Sequence, residues 1–80
     1  MSQKHNLKIR PKYFNAIEKG DKTFEVRYND RNYQLHDILV LQEHDGEKYT
    51  GREITVEVTY LLDNPNYCKD GYVVLAIKKL

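Results

Sequence analysis

The chain has one cysteine, Cys68. It can therefore form no internal disulfide, which suits a reducing compartment. Cys68 sits in a Tyr-Cys-Lys context with no nucleophile signature around it and reads as inert. No apolar run approaches the roughly 18 residues of a membrane span. The opening residues, Met1 to Asn6, are polar and lack the apolar stretch of a secretory signal. A soluble, cytoplasmic protein without a membrane partner is expected. The histidines (5, 36, 44) and Cys68 fall at no metal-ligand spacing, so neither a metal nor a cofactor is expected. Gly20 and Gly51 are isolated and build no phosphate-cradling loop. There is no nucleophile elbow and no signature of a Ser-His-Asp set. Internal repeats and low-complexity segments are also lacking.

What the chain does have is enough apolar content for one small domain. It has 80 residues, 40% of them hydrophobic, with seven tyrosines. That argues against disorder and for a single domain over residues 1–80. Tyrosine, with an apolar ring and a polar tip, suits the margin of a core or a groove. The net charge of +1 conceals an asymmetry. Residues 1–31 carry eight Lys/Arg against four Asp/Glu, and residues 32–80 carry five against eight. The basic N-terminal third could form an anion-attracting patch or a mixed, solvated surface.

Residues 1–4 are polar and expected to fray. His5 to Arg10 reads as a strand with Leu7 and Ile9 inward. Pro11 then opens a short helix whose apolar stripe is Phe14, Ile17 and Tyr13, and Gly20 closes it. Lys22 to Tyr28 alternates as a strand, and Asn29 to Asn32 is a turn. Asp37 to Glu43 is apolar on both faces, which predicts a central strand. Asp45-Gly46 is a hairpin signal, and Gly51 marks a bulge or close approach. Glu53 to Leu62 shows the cleanest alternation, with Ile54, Val56, Val58, Tyr60 and Leu62 on the dry face. Asp63 to Asn66 breaks it, and Tyr72 to Ile77 is the last strand. A small sheet of this kind exposes its edges unless it closes. The expected fold is therefore mainly β with one short helix: a compact, mainly antiparallel β-barrel with the helix plugging one end.

The densest chemistry lies in Gly20 to Arg31. Phe24, Val26 and Tyr28 share one parity and are expected in the core, while Thr23, Glu25 and Arg27 share the opposite face. On that face Glu25 and Arg27 stand about 7 Å apart along the strand. A nucleotide site needs cations for phosphate, aromatic faces for bases and a carboxylate or amide for a base edge. Lys22, Arg27, Arg31 and Arg52 supply the first, Tyr49 and Tyr72 the second, Glu25 and Asp30 the third. The competing reading is a solvated Glu25–Arg27 pair worth about 0.2–1 kcal/mol.

The string Gly20-x-Lys22-Thr23-x-Glu25-x-Arg27, following a short helix, resembles the signature of the ASCH (activating signal cointegrator homology) family of PUA-like β-barrels. It is most similar to a small bacterial and phage branch of uncharacterised function. Asn29-Asp30-Arg31, Asp37-Ile38-Leu39 with Gln42-Glu43, Tyr49-Thr50-Gly51-Arg52 and Gly71-Tyr72-Val73-Val74-Leu75 extend the likeness over roughly His5 to Ile77. The resemblance implies a PUA-like barrel with a polar cleft between helix and barrel, and RNA or nucleotides as partners. Some ASCH members hydrolyse N4-acylated cytidine with a Lys, a Thr and a distant Glu. Their Lys matches Lys22. Their Thr falls at Glu25, and their Glu has no clear counterpart here. His36-Asp37 replaces a common Gly-Asp, so that turn is expected to do without a positive φ.

Three functions follow in order of expectation. The first is an RNA- or nucleotide-binding module using Lys22, Thr23, Glu25, Arg27, Asp30, Arg31, Tyr49, Arg52 and Tyr72. The second is a small hydrolase of a modified nucleoside, with Lys22 as base or nucleophile activator and Glu25 as proton shuttle. The third is a protein-interaction module, such as a weak homodimer built on an exposed strand edge.

Overall fold

The computed structural model describes residues 3–80. Its elements are β1 (Lys4–Ile9), α1 (Pro11–Glu18), β2 (Phe24–Tyr28), β3 (Ile38–His44), β4 (Tyr49–Leu62) and β5 (Tyr72–Lys79). The fold is mainly β with one short helix, as the sequence predicts. The strands form a single curled sheet in the order β1-β3-β4-β5-β2, a half-barrel with β1 and β2 as its two edges. All neighbours are antiparallel except β1 and β3. A parallel pair needs a crossover connection, and here α1 and β2 lie within it.

Of the residues expected to fray, Met1 and Ser2 lie outside the described residues. Gln3 and Lys4 are held. The Gln3 amide donates to Asp37 Oδ1 at 2.8 Å and its carbonyl accepts from Ile38 N at 2.8 Å. Lys4 already pairs with Ile38 in the sheet. The anchor is Asp37, fully buried, which also receives the Gln34 amide at 2.9 Å and meets His5 Nε2 at 2.8 Å.

The core is built by β1 (Leu7, Ile9), α1 (Phe14, Ile17), β3 (Leu39, Leu41), β4 (Val56, Val58), β5 (Val73, Leu75, Ile77) and Tyr33. No residue of β2 belongs to it. The helix begins at Pro11, with Arg10 as an extended cap whose carbonyl accepts from Tyr13 N and Phe14 N. It ends in a Schellman turn. Asp21 N reaches back to Ala16 O at 2.9 Å, Gly20 N reaches Ile17 O at 3.0 Å, and Gly20 takes φ +86°. A side chain there would meet the following carbonyl, which is why glycine holds the position.

Three expectations are corrected. First, β2 is inverted. Glu25 is buried, whereas Phe24, Val26 and Tyr28 are 46%, 53% and 58% exposed. Residues directly opposite across a ladder share a face. Glu25 pairs with Leu75 and Arg27 with Val73, both fully buried, so the charged parity looks inward. Alternation shows which residues share a face and leaves open which face is inside. At this edge strand the ion pairs of Glu25 decide it.

Second, Tyr60 does not continue the dry face of β4. Val58 pairs with Ile77 and Tyr60 with the adjacent Ala76, so Thr59 is an extra residue. This bulge flips the parity. Tyr60 turns out at 65% exposure and Leu61 packs on the core instead. The irregularity expected at Gly51 is present: the β3–β4 register shifts opposite it, between Gln42 and His44.

Third, His36 does take a positive φ, +72°. Asp37 N donates to Gln34 O at 3.1 Å, closing a turn with His36 at its third position. His36 N to Val58 O at 2.8 Å and Val58 N to Asp37 O at 2.8 Å lock it in place. The turn geometry persists without glycine, at the strain of a left-handed non-glycine residue.

Candidate functional site

The Schellman turn does more than end α1. Lys22 N also donates to Ala16 O at 3.0 Å, which fixes the backbone just before β2. The Lys22 side chain then lies across the start of the strand. Its ammonium donates to Phe24 O at 2.7 Å and forms an ion pair with Glu25 Oε1. It also stands 5.4 Å from the Tyr13 ring centroid and 5.0 Å from that of Phe24. Two ring faces therefore flank one cation, the arrangement that ring quadrupoles favour.

The other Glu25 oxygen, Oε2, accepts from Arg27 Nε at 2.9 Å. Glu25 is 4% exposed, and a buried carboxylate persists only when paired and hydrogen-bonded. Lys22 and Arg27 provide that from positions i−3 and i+2. Arg27 Nη2 continues across the gap to the Lys8 carbonyl at 2.8 Å. The two sheet edges are thus joined at this point by a side chain, where a closed barrel would have a backbone ladder.

The gap between those edges is a cleft of about 480 Å³, lined by Lys8, Ile9 and Arg10 at the end of β1, Tyr13 of α1, and Lys22, Phe24, Glu25, Val26 and Arg27. Four of these residues are cations and one is a carboxylate. Among the described residues, both oxygens of Glu25 are occupied. An ammonium has three donors and a guanidinium five. Lys22 and Arg27 therefore keep N–H groups beyond those already used. The cleft thus presents hydrogen-bond donors and aromatic faces. Beside it lies buried Tyr33. Burial pushes its phenol above the ordinary range, opposed by Arg27 and Arg31 and assisted by Asp30 and Glu25.

Of the residues nominated from sequence, Lys22, Glu25 and Arg27 meet here. Thr23 does not; it lines a separate hollow of about 240 Å³ with Ile17, Val56 and Lys79. Asp30 and Arg31 stand in the exposed turn after β2, with their charged atoms 4.0 Å apart. Tyr72 lies on the outer sheet face, edge-on to Tyr28 at 5.5 Å between ring centroids. Tyr49 and Arg52 belong to a third hollow, about 340 Å³, around Glu43.

Arg52 has a mechanical task there. It grips Glu43 through Nε at 2.9 Å and Nη2 at 2.7 Å, reaches Asn15 Oδ1 on α1 at 3.1 Å, and lies 4.6 Å from the Phe14 ring centroid. It clasps the helix to the β3–β4 hairpin. The bonds from Arg52 and from Thr50 hold the Glu43 carboxyl below its usual range, against the opposing effect of burial. The sequence reading missed Lys8, Arg10, Tyr13 and Phe24 as cleft residues. Phe24 was masked by the inverted parity. Tyr13 carried a signal, since it flanks the helix stripe beside Phe14 and lies one helix length before Lys22.

The fold and cleft can now be set beside known proteins. The family model described as "Domain of unknown function (DUF3850)" matches residues 4–77. The chain belongs to that family. It is also 36% identical over 75 residues to the "Uncharacterized 12.9 kDa protein in GpA 3'region" of Escherichia phage P2, covering 94% of this chain and 68% of the relative. The phage relative, like the family, is uncharacterised in function. Among the described residues, no helix is long and apolar enough to cross a membrane.

Proposed function

We propose that this protein binds RNA or a nucleotide in the cleft between β1, α1 and β2, in the manner implied by its resemblance to the PUA-like ASCH domains. The observation that carries the reading is the convergence on one cleft of Lys22 and Arg27 with unspent donors, Lys8 and Arg10 at the rim, and the Tyr13 and Phe24 rings. Phosphates and base carbonyls are acceptors, and base faces stack on aromatic side chains. Glu25 holds the two cations in place, with one hydrogen bond on each of its oxygens.

The nucleoside-hydrolase reading ranks lower on the same geometry. The ASCH members that hydrolyse N4-acylated cytidine have a Thr where this chain has Glu25, and Glu25 is here engaged by Lys22 and Arg27. A panel of acylated nucleosides tests this alternative, and turnover abolished by Lys22→Ala would restore it.

Fluorescence anisotropy with short labelled single-stranded RNAs and with free nucleotides, at low salt where electrostatic binding is strongest, tests the binding reading. Lys22→Ala and Arg27→Ala are expected to weaken binding by about 1–3 kcal/mol each. Absence of binding to every probe by the folded wild type at low salt refutes it.

A further inference from the structure

The inverted parity of β2 leaves a second feature on the outer face of the sheet, which meets the cleft at the β2 edge, where Phe24 and Val26 border both. Cross-strand neighbours share a face. The outward side chains of β2, β5 and β4 therefore line up in rows. Phe24 stands beside Ala76 and Tyr60, Val26 beside Val74 and Leu62, and Tyr28 beside Tyr72. Tyr67 flanks this grid. An open hollow of about 520 Å³ lies between the loop after β4 and the face, lined by Val26, Tyr67, Cys68, Lys69, Tyr72 and Val74.

The exposed fractions are large: Phe24 46%, Val26 53%, Tyr28 58%, Tyr60 65% and Tyr67 77%. With roughly 200 Å² available per aromatic side chain, the four aromatics alone leave about 500 Å² open to water. Val26, Leu62 and Val74 extend this to about 600 Å², the upper end for the largest apolar patch on a monomer. A standard interface takes about 800 Å² from each partner. The apolar face alone supplies about three-quarters of that.

Two partners compete for an aromatic sheet face: a single-stranded nucleic acid and another protein surface. Nucleic acid needs cations along its path. The cations stand at the margins of the patch: Lys69, 5.7 Å from the Tyr72 ring centroid with Asp70 next to it, Lys22, 5.0 Å from that of Phe24, and Lys78 beyond Ala76. Most of the other basic residues lie in the N-terminal third and around the cleft. A tyrosine-rich centre depleted of charge, with a polar rim, matches a protein interface.

The rim is also self-complementary. One end carries Lys69 and Asp70. The other carries Lys78 and, opposite it in the ladder, Glu57, whose carboxylate also meets His36 Nδ1 at 2.8 Å. A two-fold axis through the middle row, near Val74, lays each end over the opposite end of a second copy, cation to carboxylate. That is the requirement of an isologous dimer.

We propose that this chain forms a two-fold homodimer through the outer face of β2, β5 and β4, with Val74, Leu62 and Tyr60 at its centre. The test is sedimentation velocity on the full chain from about 1 μM to about 1 mM. A concentration-dependent dimer is expected. Tyr67→Glu and Tyr60→Glu both alter solvent-exposed positions outside the cleft, so the fold is retained and can be verified by circular dichroism. Each is expected to raise the dimer dissociation constant at least tenfold. Arg27→Ala, on the inner face of β2, is expected to leave it unchanged, so dimerisation and cleft binding can fail separately. A wild type that stays monomeric throughout the range overturns the proposal. So does a dimer indifferent to both face variants, or RNA binding that Tyr60→Glu abolishes and Lys22→Ala does not.

Discussion

Replacing Glu25 by Gln is the sharpest way to perturb the cleft, because it keeps the shape and removes the charge. The wild-type carboxylate is 4% exposed and holds Lys22 on one oxygen and Arg27 on the other. Breaking a fully buried pair leaves an uncompensated charge at a cost of about 3–5 kcal/mol. Here the orphaned cations are partly open, with side-chain exposures of 15% for Lys22 and 24% for Arg27. Both can recover some hydration, and the amide oxygen of Gln can still accept one bond. The expected loss is therefore about 1–3 kcal/mol, below the fully buried limit.

For a domain of this size that is a substantial share of a total of about 4–12 kcal/mol. It corresponds to a melting temperature lower by roughly 5–20 °C. Urea unfolding should show the midpoint falling with an unchanged slope, since the surface exposed on unfolding stays the same. The same variant should bind anionic probes no more weakly than wild type at low salt, because the cleft loses its one carboxylate while Lys22 and Arg27 gain free donors. A stability loss under about 0.5 kcal/mol, the range of ordinary surface substitutions, refutes the role of Glu25 as the holder of the cleft.

Other residues give independent checks. Gly20→Ala places a side chain in the left-handed region at the Schellman turn, with no atom within 4 Å to collide with. It should cost about 1–2 kcal/mol from backbone strain alone, read as a lower urea midpoint. Gly71→Ala adds a collision to the same strain, because its Cβ would lie 2.7 Å from the Tyr28 ring. It should cost more than Gly20→Ala unless Tyr28 swings out, which near-ultraviolet circular dichroism would report. For Asp37, burial raises the carboxyl pKa, but the Gln3 amide, the His5 ring and the Gln34 amide outweigh it and hold the group below its usual range. A lowered folded-state pKa contributes stability that is present above the unfolded value, about 3.9, and is lost as pH falls through the folded value. Asp37→Asn should therefore destabilise the protein at neutral pH and flatten its acid limb below about pH 4. An unchanged acid limb refutes this. Arg52→Met, which cuts the Glu43 clasp while keeping an apolar stem over Phe14, should lower the melting temperature without weakening ligand binding in the cleft.

Much of this fold is legible residue by residue. Pro11 and Gly20 bracket α1, Leu7 and Ile9 point into the core from β1, Asp45-Gly46 turns the β3–β4 hairpin, and Gly51 marks its irregularity. These signals are local, and local sterics decide them. What escaped the sequence is global. Thr59 adds one residue to β4 and flips every side chain after it, yet Tyr60, Leu61 and Leu62 are compatible with either parity. The cleft was half legible for the same reason. Lys22, Glu25 and Arg27 declare themselves by charge and spacing, and they do converge. Lys8, Arg10 and Tyr13 join them only because β1 and β2 end up as facing edges of one sheet, which no single stretch encodes. Arg52 and Tyr49 have the right chemistry for a ligand site and are carried by β4 to a different hollow.

The most direct test of the cleft is a two-dimensional ¹⁵N–¹H titration of the full chain with a short single-stranded RNA and with mononucleotides at low salt. The expected result is a contiguous set of shifted amides at residues 8–10, Tyr13 and 22–27, lost with Lys22→Ala and diminishing as salt is raised. Shifts confined to the outer face of β4 and β5, or an unperturbed spectrum with every probe, would contradict a nucleotide-binding cleft at the β1–β2 seam.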